Sequence, residues 1–286
     1  MRAFLAEFLS DPRVVRLPRW LWLPVLHLLV LNTRPRKTAE KYSAIWTSEG
    51  SPLAVHTRKQ AELLRRSDPN LKVEYAMRYG GPTIGESLKK LSACSEITVV
   101  PLYPQFARST TDSVRDCLSA GTTMVENFHD HPAYIAALAA GVERHWAARG
   151  KGEKLVMSFH GLPRREVDAG DPYRDQCVAT AKLLAGSLRI APGDYFVTFQ
   201  SRFGAGEWLM PYTVPMLEWL ARKGAHKIDV VFPGFVSDCL ETLEEIGIAA
   251  RQSFKAAGGT ELSLVPCLNE SEEWIVALSE IARRPS

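Results

Sequence analysis

The sequence lacks cysteine pairs with C-x-x-C spacing, a run of about 20 apolar residues, and an excess of charge of one sign. Its five cysteines are widely separated, which argues against a disulfide framework or a zinc ribbon and predicts a reducing, cytoplasmic location. A net charge of +3 over 286 residues excludes the cationic surface that binds nucleic acid. The phosphate-binding patterns G-x-x-x-x-G-K-[ST] and G-x-G-x-x-G are absent, so little supports a nucleotide- or sugar-binding protein.

Short apolar runs alternate with helix-like segments along the chain. The runs are continuously apolar, which is typical of parallel strands that are covered on both faces. Predicted strands cover 73–79, 97–103, 154–162, 194–201, 228–235 and 261–268, and predicted helices cover 2–9, 133–148, 173–188, 213–223, 240–257 and 271–282. This order predicts an α/β fold with two doubly wound, Rossmann-like parallel-sheet domains and a cleft between them.

A short, charged stretch with two glycines at 148–153 divides the chain near its middle. We therefore predict an N-terminal α/β domain over 1–149 and a C-terminal α/β domain over 150–268. The remaining segment, 269–286, is predicted to be a helix that packs back on the first domain.

His160 is the sharpest candidate for chemistry. Ligands of open parallel sheets bind beyond the carboxyl ends of the strands, and His160 stands where the strand 154–162 meets the turn sequence Gly161-Leu162-Pro163. A histidine there can act as a base at near-neutral pH. The alternative, a hydrogen-bonded structural histidine, is at least as common for a lone residue of this type. The other six histidines are predicted to be structural: His27, His56, His129, His131, His145 and His226.

Three carboxylates follow the strand 228–235. Asp238 and Glu241 have the spacing of a capping box, in which both side chains satisfy backbone N–H groups. Alternatively, Glu241 and Glu245 lie one helical turn apart and place two carboxylates on one face, where they can relay protons. The spacing does not distinguish these two interpretations.

Two aromatic-bearing segments complete the pattern. The glycine-containing loop 201–211 carries Trp208 and predicts an aromatic wall. The apolar run Leu21–Leu31 is too short to span a bilayer and contains Pro24. Tryptophans and cations lie within and beside the region Leu17–Leu31, and they predict a segment that lies in a membrane surface. For any single residue of this region, a place in an ordinary core helix is an equal alternative.

Several ordered motifs resemble the ferrochelatase family along nearly the whole chain. They are EFLSDPRV at 7–14, WTSEGSPL at 46–53, MRYG at 77–80, LYPQF at 102–106, SFHGLP at 158–163, GDPY at 170–173, FQSRFG at 199–204 with Trp208, and SDCLETL at 237–243. The resemblance implies a chelatase-like fold that binds protoporphyrin IX between two domains and inserts Fe(II).

The resemblance also implies roles for single residues. It assigns His160 and Glu241 to catalysis and to the metal, with Asp238 and Glu245 as a proton path. It implies that the porphyrin is bound by Arg78, Tyr103, Trp208, Phe235 and Ser158. A membrane-facing lip at Leu17–Leu31 implies a peripheral position on the inner face of the membrane.

Two departures from the family pattern affect these expectations. Family members ordinarily begin with a strand, whereas this sequence begins with helical material. We therefore expect the N-terminal domain to lack its first strand, either because translation starts at an internal methionine or because this form is impaired. Arg108 stands where cluster-bearing members can have cysteine, so we predict no iron-sulfur cluster and no tightly bound cofactor. The alternatives are a noncatalytic porphyrin-binding protein, an inactive truncated homologue, and a chelatase for another tetrapyrrole or for cobalt.

Overall fold

The computed structural model describes residues 1–15, 17–204 and 206–283. In the first half, the elements are α1 (Arg2–Ser10), α2 (Arg19–Val25), α3 (Leu31–Ser43), α4 (Pro52–Ser67), α5 (Ile84–Lys90), β1 (Thr98–Val99), α6 (Thr111–Arg115), β2 (Thr123–Met124) and α7 (Pro132–Arg149). A π-helical segment, Leu26–Val30, connects α2 to α3.

The second half contains β3 (Lys154–His160), α8 (Arg164–Asp168), α9 (Tyr173–Ser187), β4 (Tyr195–Gln200), α10 (Thr213–Arg222), β5 (Lys227–Val231), α11 (Arg251–Ala256), β6 (Glu261–Leu264) and α12 (Glu272–Arg283). A second π-helical segment, Glu241–Ala250, precedes α11. The predicted strands and helices of this half are all present, and most end within a few residues of their predicted bounds.

The main sheet is parallel throughout and has the strand order β4-β3-β5-β6. Leu155, Met157 and Phe159 of β3 pack into a core that includes residues of α7, α9 and α12. Val156, between them, packs into a second core with residues of α10 and α11. Successive side chains of a strand point to opposite faces, so a strand with apolar residues on both faces fits a sheet with helices on both sides.

The first sheet is smaller than predicted, because within the described residues it pairs only β1 with β2, over two residues each. Residues 73–76, predicted as a strand, pair with no strand among the residues that the structure describes. Side chains satisfy part of this backbone instead: Arg65 Nε donates to the Val73 carbonyl at 2.6 Å, and Ser87 Oγ donates to the Tyr75 carbonyl at 2.7 Å. Apolar character does not make a strand unless a neighbour can take up its backbone hydrogen bonds.

Helix α7 packs with the second sheet although it precedes the predicted domain boundary. It contacts α9 and α12, and Trp146 Nε1 donates to Asp229 Oδ2 of β5 at 2.7 Å. Helix α12 contacts α7, and it also contacts α4 and β1 of the first half. One apolar core therefore runs through both halves. Residues 284–286 of the predicted closing segment lie outside the described residues.

The region Leu17–Leu31 is partly packed and partly exposed. Leu26 and Leu31 are buried in a small core with Leu5 and Leu9 of α1. Several large apolar side chains of the same region face solvent: Leu17, Trp20, Leu21, Val25, Leu28 and Leu29. Within the described residues, no helix has the length and apolar character needed to cross a bilayer.

Candidate active site

His160 ends β3, and its side chain is exposed. Its Nδ1 lies 2.7 Å from the Gly161 carbonyl oxygen. Because a carbonyl only accepts hydrogen bonds, this contact assigns the proton to Nδ1 and leaves Nε2 of the neutral ring as an acceptor. The Tyr173 hydroxyl donates to the His160 carbonyl at 3.0 Å and holds the strand end. The geometry therefore provides a base at the strand tip.

Gly161 allows three segments to meet beside this histidine. Its N–H donates to the Gln200 carbonyl at 2.7 Å. A Cβ at this position would lie 2.7 Å from that carbonyl oxygen and 3.1 Å from Cε3 of Trp208. The half-buried Trp208 indole therefore packs directly over the backbone next to His160, and the aromatic wall expected for loop 201–211 stays a prediction.

We expect Gly161→Ala to destabilise the protein by about 1–3 kcal/mol, because the new methyl overlaps the Gln200 carbonyl oxygen, which the Gly161 N–H holds in place. For a chain of this size, that loss lowers the Tm by roughly 2–10 °C, which thermal unfolding measures. Gly186→Ala in α9 is the matched control, because its Cβ would meet nothing within 4 Å and alanine favours helix. Equal Tm values for the two variants would contradict the proposed close packing.

Phe235 lies beside the same histidine, with ring centroids 6.4 Å apart. It follows β5 in a turn whose Pro233 carbonyl accepts hydrogen bonds from Gln105 Nε2 at 3.0 Å and from the Tyr134 hydroxyl at 2.6 Å. Both donors come from the first half of the chain. The turn that carries Phe235 is thus fixed by the two halves together.

Glu241 begins the π-helical segment Glu241–Ala250. Such segments are rare, and they occur frequently at functional sites. Among the described residues no side chain caps this helix start, and the Asp238 carboxylate accepts from Thr242 Oγ1 and Asn269 Nδ2 rather than from the backbone N–H groups of a capping box. The capping-box interpretation is therefore wrong, because the helix start is held by other groups.

Side chains from β4 and from the residue after it hold this segment. Gln200 Nε2 donates to the Glu241 carbonyl at 2.7 Å. The Glu245 carboxylate accepts from the Ser201 N–H at 2.7 Å and from the Ser201 hydroxyl at 2.6 Å. Glu245, predicted on the proton path, is therefore also an anchor between the sheet and the helix.

Burial and charge link Glu241 to two tyrosines from the first half. Burial raises the pKa of Tyr42, at the end of α3, to about 12, and the Glu241 carboxylate adds to this shift. The pKa of Tyr103 is also raised, chiefly by burial. The Arg78 guanidinium opposes this shift, and the Glu241 carboxylate adds a smaller increase. The negative charge of Glu241 therefore influences both phenols, and the role expected for Tyr103 at the porphyrin stays a prediction.

Arg78 is held by residues of its own half. Its guanidinium donates to Asp11, to the Ser113 carbonyl at 2.8 Å and to Ser113 Oγ at 2.7 Å. The same Asp11 carboxylate accepts from the Tyr79 hydroxyl at 2.9 Å. Arg78 therefore joins α1 to the loop after residue 77, and its positive charge acts on Tyr103 from this fixed position.

Ser158 does not line an open surface, so the structure does not support the expected direct contact with the porphyrin. It is fully buried in β3, where its hydroxyl donates to Gln200 Oε1 at 2.6 Å and lies 2.8 Å from Thr213 Oγ1. A residue in the interior of a doubly covered strand faces helices rather than the cleft. Its contact with the site runs through Gln200.

Sequence reasoning did not select Gln200, Ser201 or Asn269 as site residues. The first two lie within the motif FQSRFG, and Asn269 has a positive φ of 44° that marks a special turn. A polar pair directly after an apolar strand is a usable signal, but its partners in Glu241–Ala250 are about 40 residues away along the chain.

Comparison with known proteins gives a consistent result. The family model for ferrochelatase matches residues 1–285. A ferrochelatase of Azoarcus sp. (strain BH72) is 54% identical over 297 residues, which cover 99% of this chain and 82% of the relative. A ferrochelatase of Aromatoleum aromaticum is 52% identical over 299 residues, with the same coverage.

Solved structures resemble the chain at lower identity. CbiX, the terminal enzyme for biosynthesis of siroheme in denitrifying bacteria, superposes with a TM-score of 0.52 at 17% identity, covering 82% of this chain and 96% of that chain. The sirohydrochlorin chelatase SirB from Bacillus subtilis subspecies spizizenii, in complex with cobalt, gives 0.51 at 12% identity, covering 79% of this chain and 88% of that chain. These likenesses concern the fold alone, and they confirm the predicted chelatase-like α/β architecture.

Proposed function

This chain belongs to the ferrochelatase family, whose members insert Fe(II) into protoporphyrin IX to form protohaem. We propose that the protein is a metal-chelating lyase in which His160 and Glu241 perform this reaction. The observation that carries the assignment is the tether between them. His160 and Gln200 are paired across β3 and β4, and Gln200 also binds the main chain of Glu241. The main chains of the proposed base and the proposed carboxylate, which belong to separate elements, are thereby connected at one end of the sheet.

Metal insertion requires the porphyrin to lose two pyrrole N–H protons as the dication enters. The Nε2 atom of His160 is the free acceptor for one of them, because Nδ1 carries the ring proton and donates to Gly161. The Glu241 carboxylate provides a second base and a negative charge that favours approach of Fe(II). Fe(II) is a substrate here, and the porphyrin nitrogens supply its final ligands.

We propose that Asp238 and Glu245 carry protons away from Glu241. The partners that the structure describes for these carboxylates are neutral donors: Thr242, Asn269 and Ser201. A carboxylate held in this way can take up a proton without breaking an ion pair. The helical spacing from Glu241 to Glu245 provides a route along one face.

The porphyrin is proposed to lie in a cleft between an N-terminal and a C-terminal domain, against Trp208 and Phe235 on the side of the second sheet. Tyr103 and Arg78 approach from the first half. Aromatic walls stack on a flat macrocycle and exclude water, and the fixed guanidinium of Arg78 offers a charge complementary to a propionate. Distortion of a tightly held ring exposes its nitrogen lone pairs to the metal.

The competing function is a porphyrin carrier without catalysis. Anaerobic incubation of the protein with protoporphyrin IX and Fe(II) distinguishes the enzyme from the carrier. An enzyme removes the fluorescence of many equivalents of free porphyrin per equivalent of protein. A carrier would change the fluorescence only up to one equivalent of protein. Parallel reactions with Co(II), and with a more hydrophilic tetrapyrrole, define the substrate.

We propose that the protein has no iron-sulfur cluster. The five cysteines are free and widely spread along the chain, and Arg108 stands where cluster-bearing members of the family can have cysteine. Iron and acid-labile sulfide measured on the purified protein test this proposal.

We further propose that the exposed apolar side chains of Leu17–Leu31 hold the protein on the inner face of a membrane. Trp20 is 75% exposed and Leu28 is 77% exposed, and a soluble domain gains nothing from large apolar groups in water. The cations of the adjoining α3 suit an anionic lipid surface, and a porphyrin dissolved in the membrane would enter the cleft from this side.

We expect the double substitution of Trp20→Ser and Leu28→Ser to weaken binding to vesicles of anionic lipid by roughly 10²-fold, because each buried apolar side chain contributes about 1.5–3 kcal/mol. Co-sedimentation with the vesicles measures the effect. Trp219→Ser is the control, because Trp219 is an exposed tryptophan on α10, at 48%. If the control and the double variant weaken binding equally, this region is not the membrane contact.

A further inference from the structure

The side-chain amide of Gln200 connects the end of β4 to the helix that carries Glu241. Gln200 is the last residue of β4, and its Cα is paired with that of His160 on β3. Its own carbonyl accepts the Gly161 N–H at 2.7 Å. Its Nε2 donates to the Glu241 carbonyl at 2.7 Å. One residue thus contacts the backbone next to His160 and the backbone of Glu241.

The orientation of this amide is set by its two partners. The Glu241 carbonyl only accepts hydrogen bonds, so the NH₂ group must face it. The amide oxygen then faces the Ser158 hydroxyl, which can donate and does so at 2.6 Å. Thr213 Oγ1 lies 2.8 Å from Ser158 Oγ and 2.9 Å from Thr198 Oγ1, which extends the network into the sheet.

Gln200 is only 4% exposed, so its polar side chain is inside the protein. A buried amide costs free energy unless both of its ends are hydrogen-bonded, and an apolar side chain of the same length would fill the space without that requirement. A hydrogen-bonded bridge gives something an apolar contact does not, namely a defined separation between two backbones. The next residue, Ser201, reinforces the junction by binding Glu245 one turn further along the helix.

We propose that Gln200 is a positioning residue for the reaction, which holds the main chain of Glu241 at a fixed distance from the strand end that carries His160. The inference rests on the proposed roles of His160 and Glu241. Loss of the Gln200 amide should therefore affect binding of the metal more than binding of the porphyrin, because two groups that contact one incoming ion must keep a set separation. The aromatic residues that hold the macrocycle do not depend on this amide.

The test is Gln200→Met, which keeps the length and apolar bulk of the side chain but removes both hydrogen bonds. We expect kcat/KM for Fe(II) to fall roughly 3- to 10-fold, mainly through a higher KM for Fe(II), because, of the two lost bonds, only the one to the Glu241 carbonyl positions Glu241. The KM for protoporphyrin IX should stay within about 2-fold, since its walls are untouched. The measurement is the anaerobic fluorescence assay with each substrate varied in turn.

Gln60→Met is the matched control. Gln60 is 1% exposed, and its Nε2 donates to Ser237 Oγ at 2.9 Å and to the Asn269 carbonyl at 2.8 Å, so the same substitution removes a buried amide of the same kind. Its expected effect is a lower Tm with an unchanged KM for Fe(II). Ser158→Ala is a second, milder variant that removes only the partner of the Gln200 oxygen, and it should raise the KM for Fe(II) roughly 2-fold.

The outcomes separate this inference from the proposed function on which it rests. If Glu241→Gln impairs Fe(II) insertion while Gln200→Met and Ser158→Ala leave the KM for Fe(II) unchanged, Gln200 is a packing residue and the inference is wrong. If Gln200→Met and Gln60→Met raise that KM equally, the effect is general destabilisation, and the inference is again wrong. If neither Glu241→Gln nor Gln200→Met alters insertion, the proposed role of Glu241 fails together with it.

Discussion

His160→Ala is expected to lower the kcat for Fe(II) insertion by about 10²- to 10⁴-fold, the contribution of a positioned general base. The side chain is exposed at the end of β3, and its described hydrogen bond is with the adjacent Gly161 carbonyl, so its loss should cost little stability. Porphyrin affinity should change less than about 3-fold, because the aromatic walls proposed for the macrocycle, Trp208 and Phe235, are left unchanged.

The measurement pairs steady-state insertion with titration of porphyrin fluorescence. His226→Ala is the control, because His226 precedes β5 at the opposite end of the sheet and its described hydrogen bonds use main-chain atoms. Added imidazole should restore part of the activity of His160→Ala and none to the wild type. If kcat is unchanged, His160 is a structural residue and another group takes the pyrrole protons.

Glu241→Gln is expected to lower kcat by about 10- to 10³-fold while leaving the fold intact. Glutamine has the size of glutamate, and the Gln200 amide binds the main chain of residue 241 rather than its carboxylate, so the helix start keeps its anchor. The variant removes the negative charge that helps raise the pKa of Tyr42 to about 12, so this pKa should fall, although burial, the larger cause, remains.

Glu244→Gln provides the control on the same helix. The Glu244 carboxylate pairs with Lys41 Nζ at 2.8 Å, and Lys41 is half exposed, so its loss should cost no more than about 1 kcal/mol. Activity within about 2-fold of the wild type is expected for Glu244→Gln. If both glutamine variants lose activity equally, the negative charge of the whole segment matters rather than a base at position 241.

The local sequence pattern was sufficient to predict most strands and helices of the second half of the chain. Its central strands, β3 and β5, carry apolar residues on both faces because helices cover both sides of a parallel sheet, and such runs are recognisable without any tertiary information. The position of His160 follows from the same pattern, since a turn sequence directly after a buried strand places a polar residue at the strand tip. The first sheet was predicted less well. Residues 73–76 are apolar apart from Glu74, but the Val73 and Tyr75 carbonyls accept hydrogen bonds from the side chains of Arg65 and Ser87.

The two interpretations of Asp238 and Glu241 show that local sequence pattern does not predict the hydrogen-bond partners of these carboxylates. Their spacing suits a capping box, and only the structure shows that Thr242 and Asn269 bind Asp238 while Gln200 binds the main chain of Glu241. Asn269 and Gln200 are 31 and 41 positions away from those partners along the chain. A hydrogen bond between distant segments depends on how strands and helices pack, and no local pattern encodes it.

By itself, the sequence determined the α/β class, the helical start of the chain, the strand tip that carries His160 and the family to which the motifs point. The tertiary structure decided which of the polar residues meet. It placed Ser158 inside the sheet, joined Arg78 to Asp11, and connected the ends of β3 and β4 to the π-helical segment through Gln200 and Ser201. The physical reason is that burial pattern is a local property of a strand or helix, whereas the partner of a buried polar group is chosen by packing across the whole fold.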